Sequence, residues 1–344
     1  MTKTDPGRFF EDYRMGEVIA HAVPRTLSPG LRDLYTALYP GRYAIASSDA
    51  FAQSVGLPRS PVEDLAAFHT VFGKTVPDIS LNAVANLGYA EGRFLAPVYP
   101  GDTLSAASEV IGLRQLSNGK AGILWVRTTG RNQLGTEVLS YVRWVMVRKR
   151  DPEAPAPETV VPETAPAVPA AALPIPPGLD FSAYDFGLAG APHRWGDYAV
   201  GERIDHIDGV TIEEAEHMLA TRLWQNTAKV HFDARAREDG RRLIYGGHVM
   251  SLARALAFNG LANAQPIVAI NAGAHANPCF AGDTVTAWSE VLEMAETPVP
   301  SIGALRLRLV AVKGSSTDFP LKDAEGKYRP FVLLDFDYWA LIPR

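Results

Sequence analysis

Cysteine is almost absent from this sequence: its 344 residues include one, Cys279. A lone thiol builds neither a disulfide framework nor a cysteine-based zinc site, and it fits a reducing compartment. The eight histidines contain no His-Glu-x-x-His pattern or other close ligand pairing, so no metal and no bound cofactor are expected. There is no Lys/Arg-rich block, and the formal net charge is -5. Nucleic-acid phosphates demand a concentrated basic face, so that class of partner is argued against. No apolar run is long enough to span a bilayer, and Met1-Thr2-Lys3-Thr4-Asp5-Pro6 lacks the apolar centre of a signal peptide. The expected address is the cytoplasm, with no membrane partner.

What is present is a duplication. Asp12-Tyr13-Arg14-Met15-Gly16-Glu17 matches Asp197-Tyr198-Ala199-Val200-Gly201-Glu202, and the register continues without a gap until Ala46 falls on His231. Further on, Pro97-Val98-Tyr99-Pro100-Gly101-Asp102-Thr103 repeats as Pro278-Cys279-Phe280-Ala281-Gly282-Asp283-Thr284, and Ser108-Glu109-Val110 repeats as Ser289-Glu290-Val291. Each copy is large enough to bury its own core. Only the second keeps a histidine at this position, which suggests that one half binds while the other reacts.

The expected boundaries are 1–150 for the first copy, 151–177 for a linker and 178–344 for the second copy. The linker collapses to Pro, Ala, Glu, Val and Thr, a composition that runs extended and polyproline-like. Its simplest role is reach. In the second copy Thr211, with Glu214 three residues on, reads as a helix start. A second helix is expected from Gly247 to Phe258, since Val249, Leu252, Ala253, Leu256 and Ala257 recur at helical spacing and Asn259-Gly260 stops it. The first copy has an equivalent from Pro61 to Phe72, closed by Gly73. The rest of each copy turns to strand, as in Glu137–Val147 and Phe331–Trp339, with Ser117-Asn118-Gly119 and Asn132-Gln133-Leu134-Gly135 as turns. A polar insertion runs from about Lys313 to Tyr328.

A long apolar helix, an antiparallel sheet of five or six strands and a Pro-x-x-x-Gly-Asp-Thr turn resemble the hot-dog fold, an α+β architecture in which the sheet wraps the helix. Two in tandem resemble the double hot-dog of the MaoC-like hydratases. That family's motif, approximately Gly-Asp-x-Asn-Pro-Ile/Leu-His, falls on Gln225-Asn226-Thr227-Ala228-Lys229-Val230-His231. His231 and Val230 are kept, Asn226 stands at the Asp position, and Ala228-Lys229 replaces Asn-Pro. The family's His-Gly-Met is echoed by His248-Val249-Met250. Within the family, Phe9–Glu17, Tyr39-Pro40-Gly41-Arg42-Tyr43 and Trp224-Gln225-Asn226 resemble members that add water reversibly to a branched dicarboxyl enoyl-CoA.

Such a reaction needs a base for water, an acid for the α-carbon and donors for the thioester oxygen. His231 is the natural base, because an unperturbed imidazole titrates near neutrality. Asn226 cannot exchange a proton and would hold the water. His231 would then serve as both base and acid, or a nearby carboxylate such as Asp233 would stand in. Backbone donors at Gly247, His248 and Val249 are candidates for the thioester oxygen. Lys229 or Arg254 would meet a free carboxylate, and Arg241, Arg242 or Arg93 the CoA phosphates. The same fold also serves a broader (R)-specific enoyl-CoA hydratase, a thioesterase, or a non-catalytic acyl-CoA-binding module. Sheet pairing between the copies leaves a further homo-oligomer as an expectation.

Overall fold

The computed structural model describes residues 3–315 and 319–344, so 316–318 of the polar insertion lie outside the described residues. The first copy contains β1 (Val18–Thr26), helices α1 (Pro29–Leu38), α2 (Ala44–Ser47), α3 (Asp49–Ser54) and α4 (Asp64–Thr75), then β2 (Ala83–Phe94), β3 (Thr103–Gln115), β4 (Ala121–Arg131) and β5 (Glu137–Arg148). After the connector and α5 (Phe186–Ala189), the second copy repeats the order: β6 (Arg203–Thr211), α6 (Glu214–Leu223), α7 (Gly246–Leu256), α8 (Phe258–Leu261), β7 (Ile267–His275), β8 (Thr284–Glu296), β9 (Ile302–Lys313) and β10 (Val332–Pro343). The strands form one sheet in the order β1-β3-β4-β5-β2-β7-β10-β9-β8-β6. Each copy therefore supplies five antiparallel strands. The two sets meet edge to edge where Gly92 pairs with Ile270 and Arg93 with Ala269.

This is the tandem hot-dog architecture that the sequence implied. In the first copy α4 is enclosed, with every residue from Leu65 to Thr75 buried, and it packs on β1, β3 and β5. A helix apolar on nearly all sides is stable only in such an enclosure. In the second copy α7 packs in the same way on β6, β8, β9 and β10. The central core is shared: Phe68, Tyr89 and Tyr141 of the first copy join Trp224, Tyr245 and Leu252 of the second. The repeat extends to polar detail, because His21 Nε2 meets Ser108 Oγ at 2.8 Å and His206 Nε2 meets Ser289 Oγ at 2.8 Å.

Three local readings differ. Gly73 lies inside α4 and does not close it. A β-carbon there would stand 1.8 Å from the Trp224 carbonyl oxygen, so glycine is required by close approach of the other copy. Thr211 ends β6, where its hydroxyl meets that of Thr284 at 2.8 Å, and Glu213 occupies the cap position before α6. Asn259-Gly260 does break the helix, with Gly260 at φ 104, but a further short turn follows it. The proline-rich connector, which includes a 3-10 turn at Ala170–Ala172, is docked along its course. Val160 bridges to Leu113, the buried Val168 donates its N–H to Asn271 Oδ1, and Trp339 Nε1 donates back to the Val168 carbonyl. No helix of the described residues is long and apolar enough to cross a membrane.

Candidate active site

Between α6 and α7 the chain makes the turn that carries His231. Trp224 caps α6, and Gln225 at φ 53 takes the left-handed conformation that reverses the backbone. Arg25, from the first copy, donates to the Leu223 carbonyl at the same helix end. Asn226 is thereby turned inward and buried. Its Oδ1 accepts the Ala228 N–H at 3.0 Å, which leaves the Nδ2 donors free for a ligand. A single 3-10 turn, Lys229–His231, follows, where the first copy has α2 around Ala46. Val230 and Leu243 then zip the loop closed through Leu243 N–H to the Val230 carbonyl, 2.9 Å.

His231 Nδ1 lies 2.8 Å from the Leu243 carbonyl. A carbonyl only accepts, so Nδ1 carries the proton and Nε2 keeps its lone pair. Burial pushes the imidazole below its ordinary pKa, and the Leu243 hydrogen bond opposes that shift. His231 is therefore neutral at neutral pH.

A cavity of about 300 Å³ lies against it, lined from the first copy by Phe72, Ser80, Asn86, Tyr89 and Arg143 and from the second by Asn226, His231, Tyr245, Gly246 and His275. Neither copy alone encloses it. Four more histidines stand around its rear wall. His217 Nε2 accepts the Tyr245 N–H at 2.9 Å, and burial lowers its pKa to about 3. His69 meets Ser251 Oγ at 2.8 Å and the Tyr245 hydroxyl at 3.3 Å, and burial lowers it to about 3. His275 Nε2 meets the Tyr89 hydroxyl at 3.1 Å, burial lowers it to about 4, and its Nδ1 is without a partner. His248 Nδ1 meets the Tyr39 hydroxyl at 2.9 Å. Around the cavity, then, most imidazoles are neutral polar groups fixed by hydrogen bonds.

The structure brings Asn226, His231 and Val249 together at the cavity and leaves other sequence candidates elsewhere. Gly247 packs on the Tyr245 ring and His69, and the His248 N–H is bonded to the Tyr245 carbonyl at 2.9 Å. Gly246, one residue earlier, lines the cavity at the N-terminus of α7. Lys229 is exposed. Arg254 is buried away from the cavity, stacked 3.8 Å from the Tyr43 ring and donating to the Ala264 carbonyl at 2.6 Å. Arg242 pairs with Glu214 at 2.6 Å, and Arg241 lies 3.9 Å over the Phe280 ring on the outer loop. Arg93 sits in β2 at the seam of the two sheets. Asp233 is held by Arg235 at 2.9 Å and does not line the cavity. Among the described residues no cluster of side chains could hold a metal ion.

Sequence reasoning passed over Arg143, His275 and Asn86. A signal for Arg143 was available. Leu139, Tyr141, Val145 and Val147 share its side of a period-two strand, so an arginine among them marks a charge on an inward face.

Comparison with known proteins agrees with this architecture. A family model described as mesaconyl-CoA hydratase matches residues 1–320. The chain is 72% identical over 342 residues to a mesaconyl-CoA hydratase of Cereibacter sphaeroides, covering 99% of this chain and 100% of that one. It is 60% identical over 347 residues to a β-methylmalyl-CoA dehydratase of Chloroflexus aurantiacus, with 99% of each chain covered. The crystal structure of a putative MaoC domain protein dehydratase from Chloroflexus aurantiacus superposes with a TM-score of 0.97 at 59% identity, covering 100% of this chain and 99% of that one. A Mycobacterium tuberculosis protein with a double hot-dog fold is similar in fold, at a TM-score of 0.74 and 24% identity, with 98% and 99% covered. The chain belongs to the MaoC-like double hot-dog hydratases and, within them, to the mesaconyl-CoA hydratase family.

Proposed function

We propose that this protein hydrates mesaconyl-CoA reversibly to β-methylmalyl-CoA, with His231 as the base that activates water. The observation that carries the reading is the His231–Leu243 hydrogen bond, which leaves a neutral imidazole with Nε2 as proton acceptor at a cavity lined by both copies. In the hydration direction, a water held by the Asn226 amide passes a proton to Nε2 as its oxygen bonds to the β-carbon. The C=C π electrons move toward the thioester, and the α-carbon then takes a proton. Water is consumed and no oxidant or reductant is involved.

Among the described residues no aspartate or glutamate lines the cavity. His231 therefore returns the proton it removed, which makes it base and acid in turn and delivers hydroxyl and hydrogen to one face. The developing enolate oxygen would be met by the N–H of Gly246 at the start of α7, where the helix dipole favours negative charge. One such donor is worth about 3–4 kcal/mol in a transition state. The cavity is at the small end for ligand sites, and Phe72 and Tyr89 crowd it, which supports a short acyl group over a long one. In this reading the exposed Arg241, over the Phe280 ring and near the cavity-lining Cys279, would meet CoA phosphates. A cytoplasmic address belongs to the same reading.

Incubation of mesaconyl-CoA with enzyme in heavy-oxygen water tests it by mass spectrometry. The expected product is β-methylmalyl-CoA carrying one heavy oxygen at the hydroxyl. Release of free CoA with label in the liberated acid would assign the site to thioester hydrolysis instead.

A further inference from the structure

We propose that Arg143 binds the free carboxylate of the acyl group and thereby selects a dicarboxyl thioester; this deepens the hydratase reading and rests on it. Arg143 lies on β5 and is fully buried, at 0% exposure. Its Nη2 donates to Thr75 Oγ1 at 2.8 Å and to Ser80 Oγ at 3.4 Å, and the guanidinium stacks 4.4 Å from the centre of the Phe72 ring. These contacts fix the plane of the group. They use one of its three nitrogens, and Nε and Nη1 are buried with no partner.

The surroundings make this unusual. Buried charges are ordinarily paired. Arg143 makes no ion pair among the described residues, whereas the buried Arg254 has the carboxyl groups of Glu63 and Asp64 in its field. Among the described residues that line the cavity, Arg143 is the sole permanently charged side chain, and none is acidic. Asn86 lines the same cavity, and both of its amide atoms are buried without partners. A guanidinium, a free amide and the Ser80 hydroxyl from the first copy thus line the same cavity as His231 from the second.

A carboxylate brought by the ligand completes this arrangement. It supplies the negative charge that the protein withholds, and it accepts hydrogen bonds from donors fixed in a planar fork. A methyl group in its place leaves those donors unpaired. A site built to hydrogen-bond a polar group rejects the analogue that lacks it by factors of about 10⁴. The carboxylate of mesaconyl-CoA sits on the carbon that receives the hydroxyl, so anchoring it also sets the distance from that carbon to His231. Arg143 is in this sense a specificity-determining residue supplied by the copy that lacks the catalytic histidine.

The test uses two pairs of thioesters on the full-length enzyme, Arg143→Gln and Arg143→Lys, with thermal unfolding as a folding control. Succinyl-CoA and butyryl-CoA differ in carboxylate against methyl and do not hydrate, so equilibrium binding reads recognition alone. Mesaconyl-CoA and crotonyl-CoA report kcat/KM. Wild type is expected to bind succinyl-CoA at least tenfold more tightly than butyryl-CoA. Arg143→Gln is expected to lose that preference and to lower the mesaconyl-to-crotonyl ratio of kcat/KM about 100-fold or more, with Arg143→Lys intermediate. An absent succinyl-CoA preference in wild type overturns the proposal even if a variant fails to fold. Equal losses on both members of a pair overturn it as well, because they mark a structural role. If wild type hydrates neither enoyl thioester, the hydratase reading fails, and the succinyl/butyryl contrast still decides the role of Arg143.

Discussion

The α-carbon of Gly73, on the central helix of the first copy, lies against the backbone carbonyl of Trp224 in the second, so closely that an added β-carbon would stand 1.8 Å from that oxygen. Trp224 is followed by Gln225 and Asn226, so this contact sets the height of the segment that carries the buried Asn226 amide. Gly73→Ala must push that backbone away or distort α4. A loss of about 1–3 kcal/mol in stability is expected from such overpacking, together with a drop in kcat. Gly196→Ala, where a β-carbon meets nothing within 4 Å, is the control and leaves both unchanged. Chemical denaturation and steady-state kinetics on the two variants check this.

The proposed role of His231 as base predicts a pH dependence of the rate. Burial holds its pKa below the ordinary imidazole value of 6.5. The base form is neutral, so kcat/KM is expected to be level above pH 6.5 and to fall tenfold per unit below the lowered pKa. A rate that rises on acidification would contradict the assignment.

Stability should also fall with acid, earlier than carboxylates alone would cause. His69 and His217 are lowered to about 3, and His206 and His275 to about 4, by burial. The unfolded chain binds these protons near pH 6.5 and the folded chain does not, so stability is complete above 6.5 and declines as pH drops toward 4. Glu63 and Asp64, raised to about 7 by burial, act with the opposite sign over much of this range. With His231, also lowered by burial, five imidazoles against two carboxyls leave a net loss of about 1.4 kcal/mol per pH unit for each uncompensated proton. A melting temperature that is flat or rising from pH 7 to pH 5 would contradict this balance.

Much of this was legible in the residues because the chain repeats itself. Strand alternation and the Gly-Asp-Thr turns located the sheets, and the register that put Ala46 on His231 found two matching helical turns. Gly73 read as a stop because glycine ends helices by default, whereas here it answers a contact more than a hundred residues away in the chain. Thr211 read as a cap because cap chemistry is local and strand pairing to Thr284 is not. Lys229 and Arg254 looked plausible from their distance to His231 along the chain. Arg143 belongs to the other copy, and only folding brings it to the cavity. The connector's docking depends on Asn271 and Trp339, distant residues that composition cannot name.

The most direct test of the central claim is loss of enoyl-thioester absorbance with mesaconyl-CoA and crotonyl-CoA in parallel, wild type beside His231→Ala. Rapid loss of the mesaconyl signal, slower loss with crotonyl-CoA, and a fall of about 100-fold or more in His231→Ala are predicted. Preference for crotonyl-CoA, full activity without the imidazole, or tight binding with no turnover would contradict it.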